Sequence, residues 1–221
     1  MKIYLVVEGE VSEKKVYDKW IRYYRPDLKI IKYLDEFVDN SVFIISGLGY
    51  PNYFDVIESA VGDVVSLNLD KLVVAIDSEE MTYEDKRQEV TEFIESMGQN
   101  IQYNIIVQHF CLETWALGNK VIVTRHPKND EVRLFRQFFD VLSLDPELLP
   151  PYEPKSLNRA QFAELYLRRL LNDKYRNLSY SKKNPKVLLN EKYFRRVKDR
   201  FETTGHIRSF NDFLLAFNQC R

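Results

Sequence analysis

Residues 72–80 read LVVAIDSEE: five apolar positions without a polar break, then Asp77, Ser78, Glu79 and Glu80. A short apolar run bounded in this way is the pattern of a strand buried on both faces of a sheet, with Asp77 at its carboxyl end. Working outward, residues 3–7 (IYLVV) and 42–45 (VFII) repeat the pattern, and residues 101–107 (IQYNIIV) supply a fourth strand. Between these runs the apolar positions recur at helical spacing. Val16, Trp20, Ile21 and Tyr24 form one stripe, with Ser12 as its expected N-cap and Pro26 as its stop. Phe54, Ile57, Val61 and Val65 form the next, and residues 82–97 give an acidic helix with a narrow apolar face. Residues 109–119 (HFCLETWALGN) read as the first turns of another helix.

Strand and helix in alternation predict an α/β fold, a mostly parallel sheet flanked by helices and joined by right-handed crossovers. The pattern changes after Pro150, Pro151 and Pro154. Residues 160–171, 188–201 and 210–217 read as amphipathic helices rich in Lys and Arg. The expected layout is an α/β core over 1–125, a connecting helix and Pro-rich linker over 126–154, and a basic α-helical C-terminal part over 155–221 packed on the core. There is no internal repeat.

The chain has 221 residues, 45% of them apolar and 29% charged, with 7 Gly and 8 Pro, which excludes disordered, collagen-like and low-complexity classes. No apolar run approaches the roughly 18 to 20 residues that span a bilayer. The opening MKIYLVVEGE is read as neither signal peptide nor anchor. Cys111 and Cys220 form no disulfide framework or metal-ligand spacing. The expectation is a soluble protein of the reducing cytoplasm. The net charge of −1 conceals a division. Residues 1–154 hold 16 Lys and Arg against 27 Asp and Glu, a balance of −11, and residues 155–221 hold 16 against 6, a balance of +10. Such asymmetry fits a polyanion partner, or two halves that dock with complementary charge.

Open α/β sheets bind ligands at the carboxyl ends of their strands. Three such ends carry acids: Glu8 after the first strand, Asp77 and Glu79 after the third, and Glu113 soon after the fourth. Carboxylates gathered at one sheet edge repel unless a cation sits among them, and hard oxygen donors without a Cys or His pattern favour Mg²⁺ or Mn²⁺. Gly9 would let the chain turn sharply beside Glu8. Gly47-Leu48-Gly49 lacks the rest of a dinucleotide fingerprint and no Walker lysine follows, so neither a Rossmann cofactor site nor a P-loop is expected.

Val7-Glu8-Gly9-Glu10, then Ser12-Glu13, then an apolar strand ending in Asp77-Ser78-Glu79, resembles the TOPRIM domain. With Tyr17 in the following helix, the stretch is similar to RloB-like proteins and more distantly to nucleases of the OLD (overcoming lysogenization defect) family. Cys111-Leu112-Glu113-Thr114-Trp115 resembles a further acidic signature of the RloB-like group. The usual D-x-D stands here as Asp77-x-Glu79, and no ATP-binding half precedes the TOPRIM-like part. The resemblance implies a metal-dependent nuclease acting on DNA or RNA, in bacterial anti-phage defence, with any ATPase as a separate subunit. It implies metal ligation by Glu8, Asp77 and Glu79, with Glu13 and Glu113 serving a second ion and Glu10 facing solvent. Glu113 could instead orient water. Lys183 or Lys182 would stabilise the transition state. Arg168 and Arg169, then Arg195, Arg196 and Lys198, would track a phosphate backbone together with that lysine pair. Tyr175, Tyr180 and Tyr193 could stack on bases or pack in the core. His109 could act as acid or base, or be structural. Cys111, Trp115 and Tyr17 read as packing residues. The alternative is a non-catalytic TOPRIM-like subunit that binds nucleic acid or a partner.

Overall fold

The computed structural model describes residues 1–175 and 178–218; Cys220 lies outside them. Five strands form one parallel sheet in the order β2-β3-β1-β4-β5, with helices around it. They are β1 (Lys2–Val7), β2 (Lys29–Ile31), β3 (Ser41–Ser46), β4 (Lys71–Asp77) and β5 (Tyr103–Gln108). In register, Leu5 of β1 lies between Ile44 of β3 and Val73 of β4. The α/β expectation is met. The edge strand β2 is an addition, since three residues are too short to show a period.

The chain divides into two compact units, and the boundaries differ from the three sequence segments. The first unit is Met1–Ile76, Thr82–Val107 and the chain from Asn211 on; the second is Asp77–Met81 with Gln108–Phe210. Composition marks where prolines and charges cluster, whereas compactness follows which apolar faces meet.

In the first unit, α2 (Tyr53–Ser66) and α3 (Tyr83–Ser96) cover one sheet face. Ile57, Val61 and Val64 of α2 and Val90 and Ile94 of α3 pack with Tyr4, Val6, Val74 and Val107. The strand positions in between, such as Leu5 and Val73, are also fully buried, which is why these strands read as continuous apolar runs. Buried Tyr17 and Trp20 of α1 (Ser12–Tyr24) set their rings edge-on to Phe213, at 5.6 and 6.3 Å between centroids. The segment that sequence pattern placed in a basic C-terminal part therefore ends inside the first unit. Its carbonyls at Ala216 and Phe217 accept from the buried Lys71 ammonium and Arg25 guanidinium.

The second unit is helical: α4 (Leu112–Ala116), α5 (Asp130–Phe138), α6 (Arg159–Lys174) and α7 (Glu191–Thr204), with α8 (Phe210–Ala216) beginning at its last residue. Asn158 and Gln161 close a capping box at the start of α6. Asn190 caps α7, which Gly205 ends at φ 68°. Phe135, Tyr152, Phe162 and Tyr166 form an aromatic core with centroids 4.7 to 5.5 Å apart along the chain of contacts. Among the described residues no helix is long and apolar enough to cross a membrane.

Candidate functional site

The acids of the first unit are built into its turns. Glu8 follows β1 and is 9% exposed, and its N–H donates to Ala75 O at 2.9 Å, prolonging the β1–β4 pairing by one residue. Ser12 begins α1 as a helical residue, and Val11 at the cap position makes no side-chain cap bond. The turn is closed by Glu13, whose carboxylate accepts the Gly9 N–H at 2.9 Å. A Cβ on Gly9 would lie 2.9 Å from Glu13 Oε1, so the space that glycine leaves holds this carboxylate. Beside β1, the Tyr53 hydroxyl accepts from the buried Lys86 ammonium at 3.3 Å, and Lys86 also bonds Glu89 at 2.7 Å. Burial raises the Tyr53 pKa, and the charges of Glu89 and Glu8 raise it further. Glu10 is exposed, as expected.

The second unit holds a different cluster. Phe110 N–H donates to Thr114 Oγ1 at 3.2 Å and Thr114 N–H to Cys111 O at 3.0 Å, which folds the chain after β5 into the short helix α4. Glu113 on that helix is 2% exposed. Its Oε1 accepts the hydroxyl of buried Tyr180 at 2.5 Å. Burial lifts the Tyr180 pKa, and the adjacent Glu113 lifts it further, so the phenol stays a donor. Lys182 follows two residues on. Burial works to lower its pKa, yet the charges of Glu113 and Asp77, then of Cys111 and Glu164, prevail and hold the ammonium well above its ordinary value. Cys111 is fully buried, and burial followed by the Glu113 and Asp77 charges drives its thiol up. No thiolate chemistry follows. Asp77, Glu113 and Lys182 thus form one electrostatic cluster with Tyr180.

Two more residues frame it. His109 Nδ1 lies 2.9 Å from the hydroxyl of fully buried Ser78, next to Asp77. The Ser209 hydroxyl accepts from Trp115 Nε1 at 2.7 Å and from the His109 N–H at 3.3 Å, and donates to Glu147. One side chain therefore fixes both the turn after β5 and the helix that carries Glu113. Trp115 is fully buried, as its packing role required.

Other expected site residues stand apart. Glu79 is exposed in left-handed backbone, φ 48°, on the turn after β4, and the adjacent Glu80 pairs with Arg159 at 2.8 Å. Lys182 and Lys183 are both exposed, and it is on Lys182 that the charges of Glu113 and Asp77 act. Tyr193 is buried and its hydroxyl donates to Ala116 O at 2.8 Å; it and Tyr180 are hydrogen-bonded interior residues, with no face left for a base. The basic track is largely neutralised at close range. Arg169 pairs with Glu131 at 2.5 Å, Arg195 with Glu191 at 2.7 Å, and Lys198 with Glu202. Arg168 has its Nε buried without a hydrogen-bond partner, and Arg196 lies 3.9 Å from Asp199. The i,i+4 spacing of Glu191 with Arg195 and of Lys198 with Glu202 was legible in the sequence. The contribution of Tyr180 was not, since a tyrosine 67 positions from its glutamate carries no local signal.

Among the described residues, no three of the His, Cys, Asp and Glu side chains stand together in a way that could hold a metal ion. The five-carboxylate metal set expected from Glu8, Glu13, Asp77, Glu79 and Glu113 does not fit these residues as they stand. Glu13 is engaged by Gly9, Glu79 is exposed, and the charges of Asp77 and Glu113 already act on the Lys182 ammonium. No protein-family description, no curated protein and no solved structure matches the chain.

Proposed function

We propose that this chain is a nuclease that hydrolyses phosphodiester bonds of DNA or RNA at the Asp77–Glu113–Lys182 cluster. The observation that carries the reading is Asp77 at the end of β4 and the buried Glu113 fixed by the Tyr180 hydroxyl, with the charges of both carboxylates acting on the exposed Lys182. Carboxylates and an ammonium at the carboxyl ends of an α/β sheet are the equipment of phosphoryl chemistry. Lys182 binds a non-bridging phosphate oxygen and offsets the charge that grows on it. Glu113 or Asp77 takes a proton from the attacking water, the new phosphorus–oxygen bond forms, and the leaving oxygen departs with a proton from solvent. Tyr180 positions Glu113 throughout.

The TOPRIM resemblance supports the same reaction class and extends the proposal to a cytoplasmic role in anti-phage defence beside a separate ATPase subunit. It also supports a requirement for Mg²⁺ or Mn²⁺. Since the carboxylates do not fit such an ion as they stand, the ion enters as an arm of the test and carries no step. The engagement of Glu13 by Gly9 and of Glu113 by Tyr180 favours a second reading, a non-catalytic subunit that keeps the shape and binds nucleic acid.

Plasmid DNA and tRNA are incubated with the wild type, Glu113→Gln, Asp77→Asn and Lys182→Ala in Mg²⁺, in Mn²⁺ and in EDTA. Cleavage by the wild type and its loss in the three variants, each with an unchanged circular dichroism spectrum, is the expected result. A wild type that cuts neither substrate, or variants that cut at its rate, overturns the nuclease reading. Strand binding by a wild type that cuts in none of the three conditions is the result expected of the second reading.

A further inference from the structure

Apart from the Asp77–Glu113 cluster, the second unit holds an open cavity of about 130 Å³. Lys120, from the turn after α4, faces it together with Arg196, Asp199, Arg200 and Thr203, which share one face of α7. Three cations there meet one carboxylate. Arg200 is 3% exposed and rests its guanidinium on backbone carbonyls, those of Val141 at 3.1 Å, Leu142 at 3.2 Å and Leu144 at 2.7 Å, and on His206 Nδ1. Carbonyl dipoles stabilise the buried guanidinium, and the charges of Asp145 and Asp140 act on it from beyond the cavity lining. Its positive charge is still felt by its neighbours. Burial and then Arg200 lower the Lys120 pKa, and burial, Arg200 and Lys120 together lower that of His206 against the pull of Asp145.

Elsewhere on α7, Arg195 is held by Glu191 and Lys198 by Glu202, acids of the same helix. Arg196 is held loosely, 3.9 Å from an Asp199 that is itself 58% exposed. A cavity whose lining carries excess positive charge, with a forked guanidinium and a flexible ammonium among its groups, is matched to a tetrahedral oxyanion.

We propose that this cavity is a phosphate subsite for the backbone of a polynucleotide, ligated by Lys120 and Arg196 over the fixed charge of Arg200, and it rests on the nuclease reading for the identity of its ligand. The subsite would hold the strand away from the reacting bond and would read no base sequence.

The test uses the full chain in EDTA, with recovery of the intact strand after each titration as the check that no turnover has occurred. Fluorescence anisotropy follows a labelled 20-nucleotide single strand, and calorimetry follows inorganic phosphate alone. Lys120→Ala and Arg196→Ala change exposed side chains and leave the core intact. Each is expected to weaken strand binding about tenfold at low salt and to reduce the salt slope by about 1. Asp199→Asn, which removes the cavity's carboxylate, is expected to tighten it severalfold. Strand affinities equal to wild type in both alanine variants overturn the subsite, as does an Asp199→Asn protein that binds no tighter. Loss of phosphate binding in these variants with strand binding untouched overturns the polynucleotide assignment. Cleavage is read separately in Mg²⁺ or Mn²⁺: a protein that binds through Lys120 and Arg196 but cuts nothing keeps the subsite and loses the nuclease reading.

Discussion

Glu13 and Glu113 occupy matching places. Each is the second residue of a helix that follows a parallel strand, Glu13 in α1 after β1 and Glu113 in α4 after β5, and each is buried. What holds them differs. Glu13 takes the N–H of Gly9, four residues before it, and seals a turn whose geometry is complete within one segment. Glu113 takes the hydroxyl of Tyr180 and lies in the field of Lys182, both from a segment nearly seventy residues further on. A carboxylate engaged by its own turn is a structural element. One steadied by a phenol and an ammonium from elsewhere has partners that can be exchanged for a ligand. The two glutamates, similar in sequence context, are therefore expected to fail in different ways.

The largest effect expected is on the rate. Glu113→Gln should lower cleavage by about 10²- to 10⁴-fold, the range for losing a positioned acid–base group, whereas Glu13→Gln should stay within a few-fold of wild type. Initial rates on plasmid and tRNA compare them directly, and equal losses at both positions would dissolve the distinction drawn here.

The adjacent lysines sharpen the contrast within the second unit. Lys182→Ala should cost about a hundredfold in kcat, as for an electrophilic group facing developing charge, while Lys183→Ala should be close to wild type. The reverse order would move the cation of the site by one residue and with it the assignment of the cluster.

Stability against pH supplies a third comparison. Burial pushes the Glu147 carboxyl up to about 7, against the pull of the Ser209 hydroxyl and N–H. Its folded value lies above its unfolded one, so the native state holds the proton more tightly. The associated stability is fully present below the unfolded value near 4.5 and is lost as pH rises through about 7. The melting temperature should fall between pH 5 and pH 8 by an amount equivalent to about 2 kcal/mol, and Glu147→Gln should flatten that slope. A slope that survives the substitution would point to Asp212 in the first unit, whose carboxyl burial also raises despite its bonds to Tyr83 and Arg87.

The smallest effect belongs to the turn itself. Glu13→Ala leaves the Gly9 N–H without its acceptor and should cost about 1 kcal/mol in urea unfolding. A loss of activity with unchanged stability would show that Glu13 serves the chemistry after all.

Much of the first unit was legible because burial on both faces writes itself into a strand as an unbroken apolar run, as in residues 72–76 and 3–7. Asp77 could be chosen for the same reason, since a charged residue at the end of such a run is visible against it, and Glu113 as an acid soon after the fourth strand. Glu79 was chosen by the same logic and lies on the surface, since a turn in left-handed backbone sends successive side chains in directions that spacing does not encode. The positive balance of residues 155–221 is real as a count, yet most of the arginines singled out there are answered by acids a helical turn away or, for Arg169, by Glu131 of α5. Lys120 drew no notice because it stands alone in an acidic half, and its setting depends on Arg200 from α7.

The sequence by itself determined the alternation of strands and helices, the two-sided burial of the sheet and the acids at its strand ends, because these follow from contacts and periods a few residues long. Only the tertiary structure decided that the charge of Glu113 acts on Lys182, that Tyr180 anchors that glutamate, and that the chain from Asn211 belongs with the sheet. Those outcomes depend on the route of loops between distant segments, where side chains far apart along the chain compete for one buried charge or one apolar face, and no local pattern records which of them arrives.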